Sequence, residues 1–380
     1  MIGSLSDRWR VRTAVVAAVA GCVVLAACSP AKVERKGEEK AGAASLAPPV
    51  PTVIGWDQAE EVVTRGFRQA ASARNENALS AVLTGALLQE SVAQVKLKRW
   101  PDTLVRTAET AMYRREYLIP AERDQPGYPR SFAVLFRMTD KAEKDRAAGM
   151  YYFVQAEPGA AWKAAARTWA TDRPAPQLPP EQFEDRGYGT YGFEVRDRPI
   201  AAPAREPAGA ATLSPTAASD RRVCGQYAEY LSFTAPYGEP ESEAFVPGEL
   251  TSEVVDSYNA EDGKKVWKGD LRQRYAFEVT GPELPVLRLS DGKALVTCSF
   301  VRTDHREGKS GPTTSFKYGS EDAASRDTDQ LLGGGRKWWL STDVRRIVTA
   351  TFEVPEQGPA DVVGCNCLNP PVLSAEGTPK

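Results

Sequence analysis

The sequence predicts an α+β protein of two tandem domains behind an N-terminal leader and tether. Three observations carry this prediction. An apolar run near the N-terminus stops at Cys28. Helical spacing precedes β-type alternation in each half of the chain, an order that favours an α+β arrangement over a doubly wound sheet. Short matching segments also recur at a nearly constant offset in the 380 residues.

The leader comes first. Arg8, Arg10 and Arg12 form a basic start, and Ala14–Ala27 is apolar throughout. Those 14 residues are too few to span a hydrocarbon core of ~30 Å as a helix, but they suit the apolar region of a signal peptide. The run ends Leu25-Ala26-Ala27-Cys28, which resembles the lipobox of bacterial lipoproteins. Small residues at 26 and 27 suit cleavage, and the Cys28 thiol is the nucleophile that accepts a thioether-linked diacylglycerol. The arginines alternate with other residues, which favours the general secretory route over a twin-arginine one. Residues 1–27 are therefore expected to be a lipoprotein signal peptide, with Cys28 the anchor. Residues 28–52, rich in Ala, Pro, Lys and Glu, are expected to be a disordered tether. Such a coil places the first domain about 25–30 Å from the membrane.

The first α+β domain is expected over residues 53–199. Ala59, Val62, Val63, Gly66, Phe67 and Ala70 follow the i, i+3, i+4, i+7 spacing of an amphipathic helix. A second helix opens at Gly85 and runs to Val92. Strands are predicted near Tyr117–Pro120, Arg130–Thr139, Met150–Ala156 and Trp162–Thr171. Residues 200–219, with three prolines and no aromatic residue, read as a Pro/Ala-rich linker. The second α+β domain is expected over 220–372, followed by a tail at 373–380. Cys224, Tyr227, Ala228 and Leu231 mark its first helix, and Gly248–Val255 its second. Asp291-Gly292, between Val286-Leu-Arg-Leu and Lys-Ala-Leu-Val, signals a hairpin because Gly supplies the positive φ of a tight turn. Later strands are predicted at Trp338–Ser341 and Arg346–Val354.

The halves match one another. Gly85 and Gly248 are 163 residues apart, and Thr139-Asp140 and Thr303-Asp304 are 164 apart, each pair ending a β-rich run. Two matches at nearly one offset argue for internal duplication.

Several segments carry a wider resemblance: Leu83-Thr-Gly-Ala-Leu87, Tyr128-Pro-Arg-Ser-Phe132, Tyr152-Phe-Val-Gln155, Trp162-Lys163, Trp169, Leu178-Pro179 and Leu289-Ser-Asp-Gly-Lys-Ala-Leu-Val296. On these, the chain resembles a group of actinobacterial surface lipoproteins with two tandem domains. More distantly it is similar to the NTF2-like or cystatin-like cone, a helix wrapped in a curved antiparallel sheet. The resemblance would cover most of residues 53–370. It implies a fold and assigns no catalytic residue.

Besides Cys22 and Cys28, the chain has Cys224, Cys298, Cys365 and Cys367. An exported chain with an even count favours disulfides. Pairing Cys365 with Cys367 would close a strained, very short loop. That leaves Cys224–Cys365 with Cys298–Cys367, or Cys224–Cys367 with Cys298–Cys365. Either would staple the C-terminal segment to the first helix and a central strand, at about 3–5 kcal/mol per bridge. A four-thiolate zinc site is disfavoured by the C-x-C spacing.

Composition excludes several chemistries. Lys and Arg total 48 against 50 Asp and Glu, so the footprint of a nucleic-acid binder is absent. A single His excludes multi-histidine metal sites. Ser257-Tyr-Asn259 and Lys309-Ser-Gly311 imitate two penicillin-interacting elements, but the third, Ser29-Pro-Ala-Lys32, falls in the tether. Gly308-Lys-Ser310 lacks the first glycine of a phosphate loop, and Gly333-Gly-Gly335 reads as a loop tip. Glu239, Glu241 and Glu243 form an acidic loop without a calcium-binding frame. Substrate-binding lipoproteins of transporters need alternating β-α units, which this pattern lacks.

The surface or pocket candidates are His305, a general base in form, and Trp338 and Trp339, a platform for glycan or partner. Adjacent strand residues face opposite ways, so one of the two tryptophans should be core. The expected role is a non-catalytic, lipid-anchored envelope protein on the extracytoplasmic face of the membrane, binding an envelope protein or small-molecule ligand. No cofactor is expected beyond the diacylglycerol on Cys28. The alternative is an enzyme with general acid–base chemistry in an NTF2-like pocket.

Overall fold

The computed structural model describes residues 50–98, 113–139, 145–169, 194–195, 200–260, 271–311, 314–318 and 323–380. The leader, Cys28, residues 28–49 of the expected tether and Leu178-Pro179 lie outside the described residues; Pro51 and Thr52, expected as the tether's end, are instead ordered, with Thr52 bridged to Ala121 and the Pro51 carbonyl accepting the Glu122 N–H. Residues 47–380 form one compact unit, an α+β structure built on a curled antiparallel half-barrel. Among the described residues, no helix is long and apolar enough to cross a membrane.

Three helices open the chain: α1 (Trp56–Ser72), α2 (Glu76–Ser80) and α3 (Gly85–Lys96). The stripe Ala59, Val62, Val63, Phe67 and Ala70 is the buried face of α1. The Asn75 side chain caps α2 by accepting from the Ala78 N–H, satisfying a donor that the helix leaves unpaired. Gly85, at φ +56°, opens α3 where the chain presses against two neighbours. A Cβ there would lie 2.9 Å from the Ala165 carbonyl oxygen and 2.8 Å from Pro282. Only glycine fits that conformation and that gap.

The smaller sheet is the antiparallel meander β1 (Tyr113–Leu118), β2 (Arg130–Thr139), β3 (Asp145–Gln155) and β4 (Lys163–Trp169). It is buried on both faces. Phe132, Val134, Phe136, Tyr151 and Phe153 pack against α1, with the Phe67 ring edge-on to Phe136, Tyr151 and Phe153. Ala133, Leu135, Met150 and Tyr152 point the other way, as period-two alternation requires.

The larger sheet has the order β5-β11-β10-β9-β7-β6, with β12 also on β10 and β8 on β9. Its strands are β5 (Glu194–Val195), β6 (Thr234–Ala235), β7 (Leu271–Thr280), β8 (Leu287–Arg288), β9 (Ala294–Gly308), β10 (Trp339–Val354), β11 (Asp361–Cys365) and β12 (Val372–Pro379). The long strands β9 and β10 pair over 14 residues, from Ser341↔Glu307 to Val354↔Ala294. The further α-helices among the described residues are α4 (Ala217–Asp220), α5 (Arg222–Tyr230), α6 (Ser252–Ala260) and α7 (Ala323–Leu331). One face of the sheet carries Cys298, Phe300, Val348, Ala350 and Phe352 in a core with Val223, Tyr227, Val254 and Tyr258 from α5 and α6. Without β5, β6, β8 and β12, the order β7-β9-β10-β11 repeats the antiparallel order β1-β2-β3-β4.

The opposite face joins the two sheets. Leu287, Leu289, Leu295 and Val363 share a buried cluster with Leu118, Leu135, Met150 and Tyr152. A chain of buried hydroxyls crosses the junction: Tyr152 Oη to Thr297 Oγ1 at 2.8 Å, Thr297 to Thr351 at 3.0 Å, and Thr351 to Thr168 at 2.6 Å.

Several expectations need revision. The segment expected as a linker at 200–219 is packed between the sheets: Ile200 and Ala211 are buried, and Pro203, Ala211 and Leu213 bridge to Leu289, Pro120 and Leu287. Its short side chains let the backbone approach both sheets, so main-chain hydrogen bonds replace the missing apolar stripe. The tail at 373–380 is most of β12, registered on β10 from Trp339↔Pro379 to Arg346↔Val372. The two strands expected at 338–341 and 346–354 are one strand, because the polar residues between them pair on both sides with β9 and β12. The second helix of the latter half starts at Ser252, four residues after Gly248. The Ser252 hydroxyl accepts the Gly248 N–H, and Thr251 donates to the Val246 carbonyl, holding the intervening residues in a turn.

The disulfides are also re-paired. The bonds are Cys224–Cys298, with Cα atoms 5.7 Å apart, and Cys365–Cys367, at 5.2 Å. Neither expected connectivity forms. Cys224 faces β9 from α5, beside Cys298 in the same core. The chain leaves β11 at Cys365, and this turn brings Cys367 back within ordinary disulfide reach.

Candidate functional site

A cleft of about 400 Å³ opens between α5, the 240–247 loop and the start of α6. Tyr230 and Phe245 form its aromatic part, Pro240 and Pro247 its sides, and Glu241 and Glu243 its exposed lip. The floor is rigid. Phe245 packs against the Tyr227, Tyr230 and Phe352 rings, at centroid distances of 5.3, 5.7 and 6.2 Å. Its backbone pairs with Ala360. Below it, the Tyr227 hydroxyl donates to the Leu250 carbonyl at 2.7 Å, so this buried polar group is satisfied. Partial burial, reinforced by the Asp256 charge, raises the Tyr230 phenol above its ordinary pKa. The lining hydroxyls Thr251 and Ser252 are engaged with loop backbone. The site thus presents an apolar, aromatic floor under a carboxylate lip.

The half-barrel also holds a charged core that sequence reasoning missed. Arg302 and Asp304 of β9 and Arg346 of β10 project to the same face as Phe300. Arg302 donates to the Tyr258 hydroxyl at 2.6 Å, the Cys367 carbonyl at 2.9 Å and Asp304 Oδ2 at 2.8 Å. Arg346 Nε donates to the same Asp304 oxygen at 2.7 Å. The Arg302 guanidinium lies over the Tyr258 and Tyr275 rings, 5.1 and 5.3 Å from their centroids. Burial pulls its pKa down, but Asp304 with the two tyrosines more than offsets this and holds it above the ordinary arginine value. Two buried cations share one carboxylate, and aromatic faces and carbonyls supply the remaining stabilisation. The signal was present in β9: Arg302, Asp304 and Arg306 continue the alternation begun by Cys298 and Phe300, so charges occupy core positions.

The three surface candidates lie apart from the cleft. His305 is on the opposite face of β9, with Nδ1 2.8 Å from Asp343 Oδ1 and Nε2 3.7 Å from Glu307. Glu307 in turn accepts from Arg272 at 2.6 Å. This is a cross-strand ion network on three neighbouring strands. Trp338 is half-exposed under the Lys317 ammonium, 5.4 Å from its ring centroid. Trp339 is buried among Leu271, Phe316, Tyr318, Leu332 and Val344. Cys224, Cys298, Cys365 and Cys367 are the disulfide partners already described. Among the described residues, no group of three or more His, Cys, Asp or Glu side chains is arranged to hold a metal ion. In comparisons with protein-family models, curated proteins and solved structures, the chain matches none.

Proposed function

We propose that this chain is an exported, lipid-anchored cell-envelope protein of two duplicated NTF2-like units, acting as a binding module for an envelope partner or small ligand. The observation that carries the reading is the pair of disulfides in the half-barrel core, because such bonds persist outside the reducing cytosol. The leader ending Leu-Ala-Ala-Cys28 supplies the route and the anchor, and two acyl chains hold a protein stably where one holds it marginally. The repeated strand order and the 163- and 164-residue offsets support duplication. The cleft floored by Tyr230 and Phe245 is the ligand site this reading favours.

The test is fractionation of the full chain expressed in a bacterium that lipidates exported proteins. The wild-type chain is expected in the membrane fraction, with its four core cysteines resistant to alkylation until reduced. Cys28→Ser is expected to lose the lipid and to leave that fraction in a high-salt wash, which strips electrostatic contacts but not a diacyl anchor. Equal salt-resistant membrane retention of both chains, or free thiols in the native protein, would overturn the proposal.

A further inference from the structure

One end of the β9–β10 ladder carries two aromatic side chains that the fold leaves in solvent, each paired with a lysine. Tyr237 is 83% exposed, and the Lys309 ammonium sits 5.6 Å from its ring centroid. Trp338 is 50% exposed, with Lys317 over its ring. The register places both pairs at the same end. Lys309 follows Gly308, the residue opposite Leu271, and Tyr237 lies just beyond Ala235, which pairs with Gln273. Trp338 immediately precedes β10, whose Ser341 faces Glu307. Exposed Arg336 and Lys337 extend the Trp338 side.

These aromatics are held out deliberately. Tyr237 adopts φ +79°, a conformation that bulky side chains avoid and that costs free energy without burying the ring. The Trp338 carbonyl accepts the Lys380 N–H at 3.0 Å, which fixes its backbone while the indole stays outside. Carboxylates lie among the basic groups of this rim. Asp329 is bonded to the Arg336 N–H, Glu307 is paired with Arg272, and Glu239 lies two residues after Tyr237.

From this juxtaposition we infer that the Tyr237/Lys309 and Trp338/Lys317 end of the half-barrel docks on an anionic lipid surface. Amphipathic aromatic rings settle at the headgroup level, and lysines beside them meet lipid phosphates. The inference rests on the proposed export and anchoring, which put this end within reach of a bilayer. A lipid anchor and a basic–aromatic rim then act together, as two signals on one membrane.

The test uses the chain from residue 29 onward, which lacks the lipidated cysteine and keeps the whole compact unit of residues 47–380. Flotation with phosphatidylglycerol/phosphatidylcholine vesicles is expected to carry the protein, and phosphatidylcholine vesicles alone are not. Lys309→Glu with Lys317→Glu should weaken partitioning at least about 25-fold, since each basic residue near an anionic surface contributes roughly fivefold. Tyr237→Ser with Trp338→Ser should weaken it as well, with the melting temperature of every variant near wild type. Tryptophan emission should shift to the blue on anionic vesicles, and Trp338→Phe should abolish most of that shift. Absence of binding to anionic vesicles, equal binding to neutral ones, or retention on immobilised polyphosphate without vesicle binding would each overturn the inference. Because no lipid is attached here, a negative result leaves the Cys28 anchor standing. Equally, failure of the fractionation leaves vesicle binding measured on its own.

Discussion

Removing the two disulfides separately should have very unequal effects. Cys224–Cys298 spans 74 positions of sequence, whereas Cys365–Cys367 spans two. In the chain-entropy treatment, the longer closure restricts the unfolded chain by about 4.5 kcal/mol and the shorter by about 1.6 kcal/mol. All four cysteines border one core; Cys298, Cys365 and Cys367 are buried and Cys224 is half-buried, so truncation to alanine removes only slightly more packing from the short pair, and most of it cancels in the comparison. Cys224→Ala/Cys298→Ala should therefore be less stable than Cys365→Ala/Cys367→Ala by about 3 kcal/mol. Urea unfolding without reductant, followed by far-ultraviolet circular dichroism, reads the difference directly. Peptide mapping of the wild-type protein should recover the same two pairs. Equal losses, a larger loss for the short pair, or a mapped Cys298–Cys367 bond would refute the reasoning.

Three further outcomes follow from the buried polar groups. Asp304→Asn strips the carboxylate shared by Arg302 and Arg346 and should cost about 3–5 kcal/mol, while Arg302→Met/Asp304→Leu/Arg346→Met should recover most of that loss in the same denaturant assay. Thr351→Val removes the middle hydroxyl between Thr297 and Thr168 and should cost about 1–3 kcal/mol; circular dichroism and tryptophan emission should still report one coincident transition, because the two sheets share a core. The Arg272 hydrogen bond, with the charges of Arg272 and His305, outweighs partial burial and holds the Glu307 carboxyl below its ordinary range. Its contribution is present above the unfolded carboxylate pKa and lost as pH falls through the lower folded value, so Glu307→Gln should flatten the acid side of a plot of melting temperature against pH.

Periodic segments were legible in the sequence. The Ala59–Ala70 stripe gave α1 its buried face, and Asp291-Gly292 marks a turn in which Gly292 has φ +90° and the Lys293 N–H donates to Asp291. The expected split of Trp338 from Trp339 is observed, with Trp339 the first residue of β10 and Trp338 just outside it. What could not be read depended on long-range neighbours. The disulfide partners are set by how α5 crosses β9, and no local pattern encodes that crossing. The 200–219 segment has loop composition, yet it is ordered by main-chain bonds to Leu287, Leu289 and Pro120, which composition does not record. The Arg302–Asp304–Arg346 cluster was hidden for the opposite reason. Charges in a strand suggest solvent, and only α6 and the 367–370 segment turn that face into an interior.

The central claim is export with a lipid at Cys28, and mass spectrometry of the N-terminal peptide of the membrane-purified chain tests it most directly. A peptide beginning at residue 28 and carrying a diacylglycerol thioether is the expected result. An unmodified Cys28 inside a longer peptide, or a mature N-terminus at another residue, would contradict the account.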